Sequence, residues 1–451
     1  MRTRRTDGVR RRKATALGVS LAIAAGLLTP IVVANVAQAA TELMVNSVGL
    51  EAAAGSKTDG ICQSTAGTCT LRAAIEESNA LAAAAGEVKI GVDPNFAGGN
   101  INITTATANR MRNTNVYAAN GAVLGDQRDD TAAVFEVTAP VTIDLEHKIT
   151  VHTAATTDYA QAVFHLNGPD ITIRAIDDVW SGETSFYVGP QAKRVTLDDI
   201  NADAPYYYPE RLLVVRGGAE DITLSNSTMH GFAGAERDYN WVVVDGTSAS
   251  FPVKGLTVTG NTFVANASGA CNGSSTVGCS SSPLDAAGQF ITELEFSDNV
   301  APNLNRASSQ GARGLDLRAA TVGTLKVKDN TFDAAYYRAG TSVISMGGAT
   351  TIDSFEITGN AFTEMSGNGT DDVGAAIELP TSKRITTGGK ISDNVFVATG
   401  TFNADAIHWA GADSTDSATN LADSRVSIVD NHFDGFSVAN GSRASIRMTQ
   451  P

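Results

Sequence analysis

The sequence is poor in the residue types that most often build metal centres and nucleophilic active sites. Its 451 residues include four cysteines and six histidines, and aromatic residues make up 6%. The histidines are scattered along the chain, and no serine or cysteine nucleophile motif lies beside them. This scarcity argues against a zinc site and against a Ser–His or Cys–His nucleophile. From these residue types the sequence predicts no catalytic residue and no metal ligand.

Basic clusters and long apolar runs are confined to the first 39 residues. Seven basic residues precede an apolar stretch from Ala14 to Val36, and Ala37-Gln38-Ala39 is typical of a cleavage site. We interpret residues 1–39 as a signal peptide, with an uncleaved membrane anchor as the alternative. The signal peptide predicts a secreted, extracellular or cell wall-associated protein. No membrane span is expected in the mature chain.

The overall charge is strongly negative, at −15 for the full chain. The segment 1–39 holds seven of the basic residues, so the mature chain is more acidic still. Binding to nucleic acid requires a clustered positive surface, which this chain lacks after residue 39. We therefore expect no nucleic-acid partner.

The chain does contain a recurring phrase: apolar, any, apolar, two residues, usually Asn, one residue, usually Phe. Leu256 to Phe263 is the clearest copy, and the frame returns at 325–332, 355–362 and 426–433. Apolar residues two apart have the period of a strand and not of a helix. Successive marker asparagines are 30 to 38 residues apart, which is typical of a solenoid: Asn261, Asn299, Asn330, Asn360, Asn394 and Asn431.

A second apolar run precedes most copies of the phrase, as at Leu315 and Leu317 or Ile377 and Leu379. Each repeat therefore contains at least two short strands, which pair in parallel with their counterparts one repeat later. We predict an all-β parallel β-helix. The six asparagines tolerate unusual turn dihedrals and should form a hydrogen-bonded ladder, with the phenylalanines stacked beside it. Six asparagines in one frame disfavour the alternative of unrelated turns.

The four cysteines form two pairs of near neighbours in the sequence. In an exported protein, Cys62 with Cys69 and Cys271 with Cys279 is the first expectation among the three possible pairings. The spacing does not suit a zinc site, and no histidine is close to either pair. We interpret both pairs as local disulfides.

The segment from Cys69 to Asn79 has the pattern of a short amphipathic helix, with Leu71, Ile75 and Ser78 on one face. It resembles the Cys-Ser-Leu-Arg-Glu-Ala motif that begins many secreted bacterial β-helix proteins, with Thr70 and Ala73 departing from it. More broadly the chain resembles the right-handed parallel β-helix, or pectin-lyase-like, superfamily. The resemblance implies a right-handed helix capped by this short α-helix.

The predicted organisation is a signal peptide (1–39), an N-terminal cap with the short helix and the first strand, Val88 to Val92 (40–92), and β-helix repeats (93–451). The segment from Ala444 to Met448 has the pattern of a strand that opens another coil, yet the sequence stops at Pro451. Since an open solenoid end exposes a strand edge, we expect that the sequence is truncated or that a partner covers this end. Further C-terminal domains are one form of the truncation.

The catalytic motifs of the superfamily are not reproduced. Its hydrolases carry acids on Asn-Thr-Asp and Gly-His-Gly motifs, but Asn330-Thr331 continues here as Phe332, and His230 follows Met229. Acidic pairs such as Asp177-Asp178 and Asp198-Asp199 are typical of solvated turns. One of them, Asp371-Asp372, has oxygen ligands suited to a hard cation such as calcium; no other cofactor is expected.

One aromatic cluster suits recognition of sugars. Tyr206, Tyr207 and Tyr208 lie between two prolines, and exposed rings stack on sugar faces. The alternative is that these tyrosines anchor a loop over the edge of a coil.

Two functional hypotheses follow. The first is a non-catalytic, adhesin-like module, secreted or on the cell surface, that binds a glycan or a surface protein. The second is an extracellular polysaccharide lyase or glycoside hydrolase with a divergent active site. The absent motifs and the acidic charge, which repels uronates, favour the first.

Overall fold

Residues 39–451 form one compact unit. The computed structural model describes the following residues of it: 41–81, 87–103, 132–153, 161–180, 184–203, 211–230, 239–264, 281–302, 304, 313–333, 336–337, 342–367, 374–380, 384–399, 405–410, 426–436 and 445–449.

The fold is a parallel β-helix in which each coil passes through three faces, here called A, B and C. All strand pairs among the described residues are parallel, and each strand pairs with its counterparts in the neighbouring coils. This confirms the predicted all-β solenoid. The handedness implied by the resemblance stays a prediction.

Face A contains the strands that precede the asparagine turn: β1 Thr41–Val45, β2 Val88–Val92, β5 Val141–Asp144, β8 Pro169–Trp180, β10 Lys193–Asp203, β12 Glu220–Ser225, β15 Leu256–Thr259, β18 Phe290–Ser297, β21 Thr321–Lys328, β25 Thr351–Thr358, β28 Ile385–Ser392 and β31 Val426–Val429.

Face B follows the turn and includes the second halves of β8 and β10. Its other strands are β3 Gly99–Ile103, β6 Ile149–Thr153, β13 Thr228–His230, β16 Thr262–Val264, β19 Val300–Ala301, β22 Thr331–Asp333, β23 Tyr336–Tyr337, β26 Ala361–Gly367, β29 Val395–Ala398 and β32 His432–Asp434.

Face C is a separate sheet of eleven described strands: β4 Ala132–Val137, β7 Gln161–Leu166, β9 Thr184–Val188, β11 Arg211–Arg216, β14 Tyr239–Asp245, β17 Ser281–Asp285, β20 Leu315–Asp316, β24 Ser342–Ser345, β27 Ala375–Leu379, β30 Asp405–Ala410 and β33 Ile446–Thr449. The connections from face B to face C differ most in length, as the ranges 104–131, 265–280 and 181–183 illustrate.

The turn between faces A and B is short and uniform, and the marker asparagines line its inner side. All six asparagines belong to the ladder: the Nδ2 of each of the first five donates to the Oδ1 of the next asparagine, at 2.8–3.0 Å. The same Oδ1 atoms accept backbone N–H groups from the preceding coil at 2.9–3.1 Å. The first five are buried, so the ladder satisfies backbone groups that water does not reach.

The residue with the unusual dihedral is not the asparagine but the one before it. Asp329 and Asp393 have φ of 56° and 60°, and Gly260 and Gly359 fill the same position with φ of 69° and 71°. Asp and Gly are among the residues that adopt this left-handed region at little cost. The expectation that the asparagine itself takes the strained conformation was therefore wrong; its role is hydrogen bonding.

The phenylalanines stack inside the coil next to the ladder. Ring centroids of consecutive coils are 4.9–6.2 Å apart from Phe263 to Phe433. In the coil where Ala301 takes the aromatic position, Phe296 from β18 fills the gap and contacts Phe263 and Phe332. The stack is therefore continuous although the sequence phrase is interrupted.

The N-terminal region contains the predicted helix, α1 Leu71–Leu81, whose residues Leu71, Ile75 and Ser78 are buried. The Oγ1 of Thr70 accepts the N–H of Ala73 at 3.0 Å and caps the helix. The prediction that Val88–Val92 is the first strand was wrong. Thr41–Val45 precedes it and pairs with it in parallel, because Leu43 and Val45 bury on the alternating pattern of a strand.

Candidate functional site

Polar side chains occupy one register row of face C over six consecutive coils. The row lies between two columns of apolar residues that fill the core, as in Leu284-Asp285-Ala286 and Leu315-Asp316-Leu317. Strand alternation directs these polar side chains away from the core. We call this set the polar row: Asp285, Asp316, Ser345, Glu378, His408 and Arg447.

Asp285 and Asp316 are neighbours in this row and have different surroundings. The Nδ2 of Asn240 donates to Asp285 Oδ2 at 2.7 Å, and burial raises the pKa of the Asp285 carboxyl, with the charge of Asp316 adding to the rise. Asp316 is 5% exposed and forms a bidentate pair with Arg318, at 2.8 and 2.7 Å. Its surroundings thus make Asp285 easier to protonate than a carboxyl in water, whereas Asp316 faces a fixed cation.

The C-terminal half of the polar row supplies further donors and acceptors. Glu378 Oε2 accepts the hydroxyls of Ser342 and Ser345 at 3.3 and 3.1 Å. Arg447 pairs with the buried Asp405 at 3.2 Å. This half of the row contains a hydroxyl, an anionic, an imidazole and a guanidinium group, one in each of four consecutive coils, and the hydroxyl, of Ser345, is fully buried.

At the N-terminal end of face C, the same register row contains Glu136, His165 and Tyr187. His165 is fully buried, and its burial lowers the pKa to about 4. Its ring packs edge-on against Tyr187, with centroids 5.4 Å apart. His165 is therefore neutral near pH 7 and buried on the outer side of face C.

A second cluster lies at the turn between faces A and B, where His147 is held between two aspartates. Its Nδ1 is 2.7 Å from Asp177 Oδ1, and its Nε2 is 3.0 Å from Asp199 Oδ2. The three residues come from three successive coils. Partial burial lowers the pKa of His147, but the hydrogen bonds to Asp199 and Asp177 and their charges outweigh it, so the net shift is upward.

The outer surface of face A is a polar array. Its middle row contains five consecutive threonines, followed by charges that alternate in sign: Thr142, Thr172, Thr196, Thr223, Thr257, Glu295, Lys326, Glu356 and Lys390. A shallow pit of about 130 Å³ lies across this row, where Gly255 lacks a side chain between Asp221 and Glu293. Cross-strand Thr–Thr and opposite-charge pairs stabilise a sheet, which accounts for most of this pattern.

The structure tests only some of the sequence-predicted site residues. Cys62 and Cys69 form the predicted disulfide. The following lie outside the described residues: Cys271, Cys279, Tyr206, Tyr207, Tyr208, Asp371 and Asp372. By position in the chain, the tyrosines belong to the connection that leads into β11 of face C, and the two aspartates to the one that leads into β27.

Two further searches concern the described residues alone. Among them, no three Asp, Glu, His or Cys side chains are placed to hold a metal ion. Nor does any helix in this part of the chain have the length and apolarity needed to cross a membrane.

The polar row was not predicted from the sequence, although the repeats contain it as a regular position. Each member is the middle residue of an apolar-any-apolar run, and for all but Arg447 this run precedes a copy of the phrase. A polar residue at that position repeats in six successive coils, and the repeat alignment was sufficient to find it. The His147 cluster had no such signal, because its partners belong to separate repeats with different spacings.

No family model matches the chain, and no curated protein does. Among solved structures it is similar to a selenomethionine derivative of GH136 lacto-N-biosidase from Eubacterium ramulus, at 11% identity and a TM-score of 0.29. The alignment covers 77% of this chain and 58% of that one, so this chain spans less than two thirds of the other protein. Similarity at this level carries no argument about activity or substrate.

Proposed function

We propose that the chain is an extracellular, non-catalytic β-helix module that binds a glycan along face C, in the manner of an adhesin. The observation that supports this most is the polar row, which aligns six polar side chains in consecutive coils of a rigid sheet. A glycan presents hydroxyls that both donate and accept hydrogen bonds. Carboxylate, hydroxyl, imidazole and guanidinium groups in one line match that chemistry.

The connections that lead into face C fit the same proposal. They vary more in length than the turns between faces A and B, and binding residues concentrate on variable loops carried by a rigid scaffold. Tyr206, Tyr207 and Tyr208 belong to one of these connections and would add stacking to the hydrogen bonds. Asp371 and Asp372, in another, would hold calcium if binding requires it. A surface protein is the other class of partner for this face.

The test is retention on immobilised glycans, with two variants that differ only in the face they change. Glu378→Gln removes a charge from the polar row and keeps the shape of the side chain. We expect it to weaken binding about ten-fold or more, since one charged hydrogen bond of roughly 1.5–3 kcal/mol is lost. Glu356→Gln makes the same change on face A and should bind like the wild type. Equal binding by both variants would place the glycan elsewhere.

A second candidate function is a glycoside hydrolase or polysaccharide lyase, and the pair Asp285 and Asp316 favours it. Paired residues on adjacent strands are about 4.8 Å apart, close to the separation of about 5 Å between the carboxyls of retaining glycosidases. The raised pKa of Asp285 suits a general acid. Asp316, fixed by Arg318, would be the second carboxylate.

A turnover screen separates the two candidates. The chain from residue 40 is incubated with pectate, alginate, glycosaminoglycans and neutral glucans, with and without calcium, and new reducing ends and unsaturated ends are measured. Turnover that Asp285→Asn abolishes and that Asp221→Asn on face A leaves intact would establish the enzyme. Turnover lost in Asp371→Ala would move the active site to that connection. Glycan retention without turnover on any substrate supports the binding module.

A further inference from the structure

The N-terminal cap contains a buried carboxyl group without a matching cation. Glu77 of α1 is 1% exposed, and its Oε1 accepts the N–H of Gly60 at 2.9 Å. Its Oε2 is buried and has no hydrogen-bond donor among the described residues. An ionised carboxylate in such a position loses its hydration without full compensation.

The side chain that acts on Glu77 is a second carboxyl. The side chain of Asp59, next to Gly60, is within hydrogen-bonding contact of the Glu77 carboxyl. Asp59 Oδ1 also accepts the N–H of Ile61 at 2.9 Å, which fixes the side chain at this position. Two carboxylates cannot bond to each other unless a proton or a cation lies between them.

The basic groups in this region are already engaged. Lys57 and Arg72 both pair with Glu76, at 2.8 and 2.9 Å. The strands that pack against α1 contribute Glu42 from β1, Lys89 from β2 and Glu136 from β4, but the charged group that acts on Glu77 is Asp59. No third acidic, histidine or cysteine ligand within the described residues completes a metal site here. A proton is therefore the simplest occupant.

We propose that Glu77 and Asp59 share one proton, and that this pair is a pH-sensitive latch between α1 and the disulfide loop, residues 51–69. The loop is otherwise held by the Cys62–Cys69 disulfide, by the bond from Thr70 to the carbonyl of Glu51, and by Glu76. With the proton in place, Glu77 donates to Asp59 and the loop is fixed on the helix. Once the proton leaves, two adjacent negative charges repel, and the loop loosens.

The sign of the pH dependence follows from the direction in which the pKa moves. Burial raises the pKa of Glu77, and the charge and side chain of Asp59 raise it further, while the backbone N–H groups of Gly60 and Asp59 oppose the rise without cancelling it. A carboxyl with a raised pKa in the folded state stabilises that state below the pKa of the unfolded chain. The contribution is lost as the pH rises through the folded value. The latch therefore closes in acid and opens as the pH rises above the raised pKa of Glu77.

Hydrogen exchange of the disulfide loop, followed by mass spectrometry from about pH 4 to about pH 8, tests the latch in the intact protein. After correction for the intrinsic rates, we expect exchange in the wild-type loop to accelerate by roughly ten-fold between these two pH values. Glu77→Gln keeps the shape and donates to Asp59 at every pH. It should remove the acceleration and keep the loop protected throughout.

Glu51→Gln, at an exposed carboxylate of the same loop, is the matched control and should behave like the wild type. An unchanged pH profile in Glu77→Gln would overturn the proposal. So would a wild-type profile that becomes flat on addition of calcium chloride, because a cation would then occupy the gap. Loss of the acceleration in Glu51→Gln as well would show a general charge effect, which also contradicts a specific pair.

Discussion

At the scale of single residues, position in the coil decides what a side chain does. Asp177 and Asp199 belong to acidic pairs that are typical of solvated turns, and both lie at a turn, yet they bind the two nitrogens of one histidine. His165 has the same side chain as His147, but His165 is buried with a lowered pKa, whereas His147 is exposed and its pKa is raised. Residue type alone did not separate the two histidines, because their surroundings come from neighbouring coils.

The His147 cluster predicts a pH-dependent contribution to stability. Donation from both ring nitrogens requires the imidazolium form, and the pKa is raised by the two aspartates. The stabilisation is complete below the unfolded pKa of about 6.5 and is lost as the pH rises through the folded value. His147→Ala should therefore lower the free energy of unfolding more at acidic than at alkaline pH, as measured by urea denaturation.

The control for this prediction is His147→Ala in a background that carries Asp177→Asn and Asp199→Asn. The effect of the histidine substitution should there be the same at both pH values. His147 is 40% exposed, so solvent screening keeps the effect small. A pH-dependent loss that persists in this background would assign it to another group.

At the scale of elements, the sequence predicted which segments form helices or strands better than it predicted which strand comes first. The helix at 71–81, the strands of the phrase and one disulfide follow from local patterns, namely period, capping and cysteine spacing. The strand Thr41–Val45 was missed because it precedes the recognisable helix and belongs to no copy of the phrase. A strand whose partners are far away in sequence carries a weak local signal.

The cap of α1 predicts the effect of a substitution at Thr70. Its Oγ1 accepts the N–H of Ala73 and donates to the carbonyl of Glu51, so it joins the helix to the disulfide loop. Thr70→Val keeps the shape and loses both bonds, and should cost about 1–2 kcal/mol of unfolding free energy. Thr70→Ser keeps the hydroxyl and should cost less than half as much. Equal losses in the two variants would mean that the methyl group contributes as much as the two hydrogen bonds, which contradicts the prediction.

At the scale of the whole molecule, the asparagine ladder adds side-chain hydrogen bonds between coils that the parallel sheets already join. The six asparagines were visible in the sequence as a frame, and so was the aromatic stack beside them. The sequence did not reveal that Phe296 fills the place of the ring missing at Ala301. Phe296 occupies one of the apolar positions of the same copy of the phrase, and not the usual aromatic position. The repeat predicted the architecture, and only the packed structure shows which side chain compensates for a gap.

The ladder predicts a gradient of stability along the coils. Asn330→Ala leaves the carbonyl of Phe296 and the N–H of Asn299 unpaired in a buried position, and should cost about 2–6 kcal/mol of unfolding free energy. Asn431 is partly exposed and has a ladder neighbour on one side only in the described residues. Asn431→Ala should therefore cost less, as measured by urea denaturation. Equal costs would mean that water, and not the ladder, satisfies these groups.

The five threonines in the middle row of face A give the molecule outward side chains at a regular spacing. They occupy consecutive coils, so any two of them are separated by a multiple of about 4.8 Å along the stack. Because these side chains point away from the core, cysteines for spin or fluorescent labels can replace them without disturbing the packing. A labelled pair such as Thr142 and Thr257 would report, within one molecule, whether the coils stretch or bend under load.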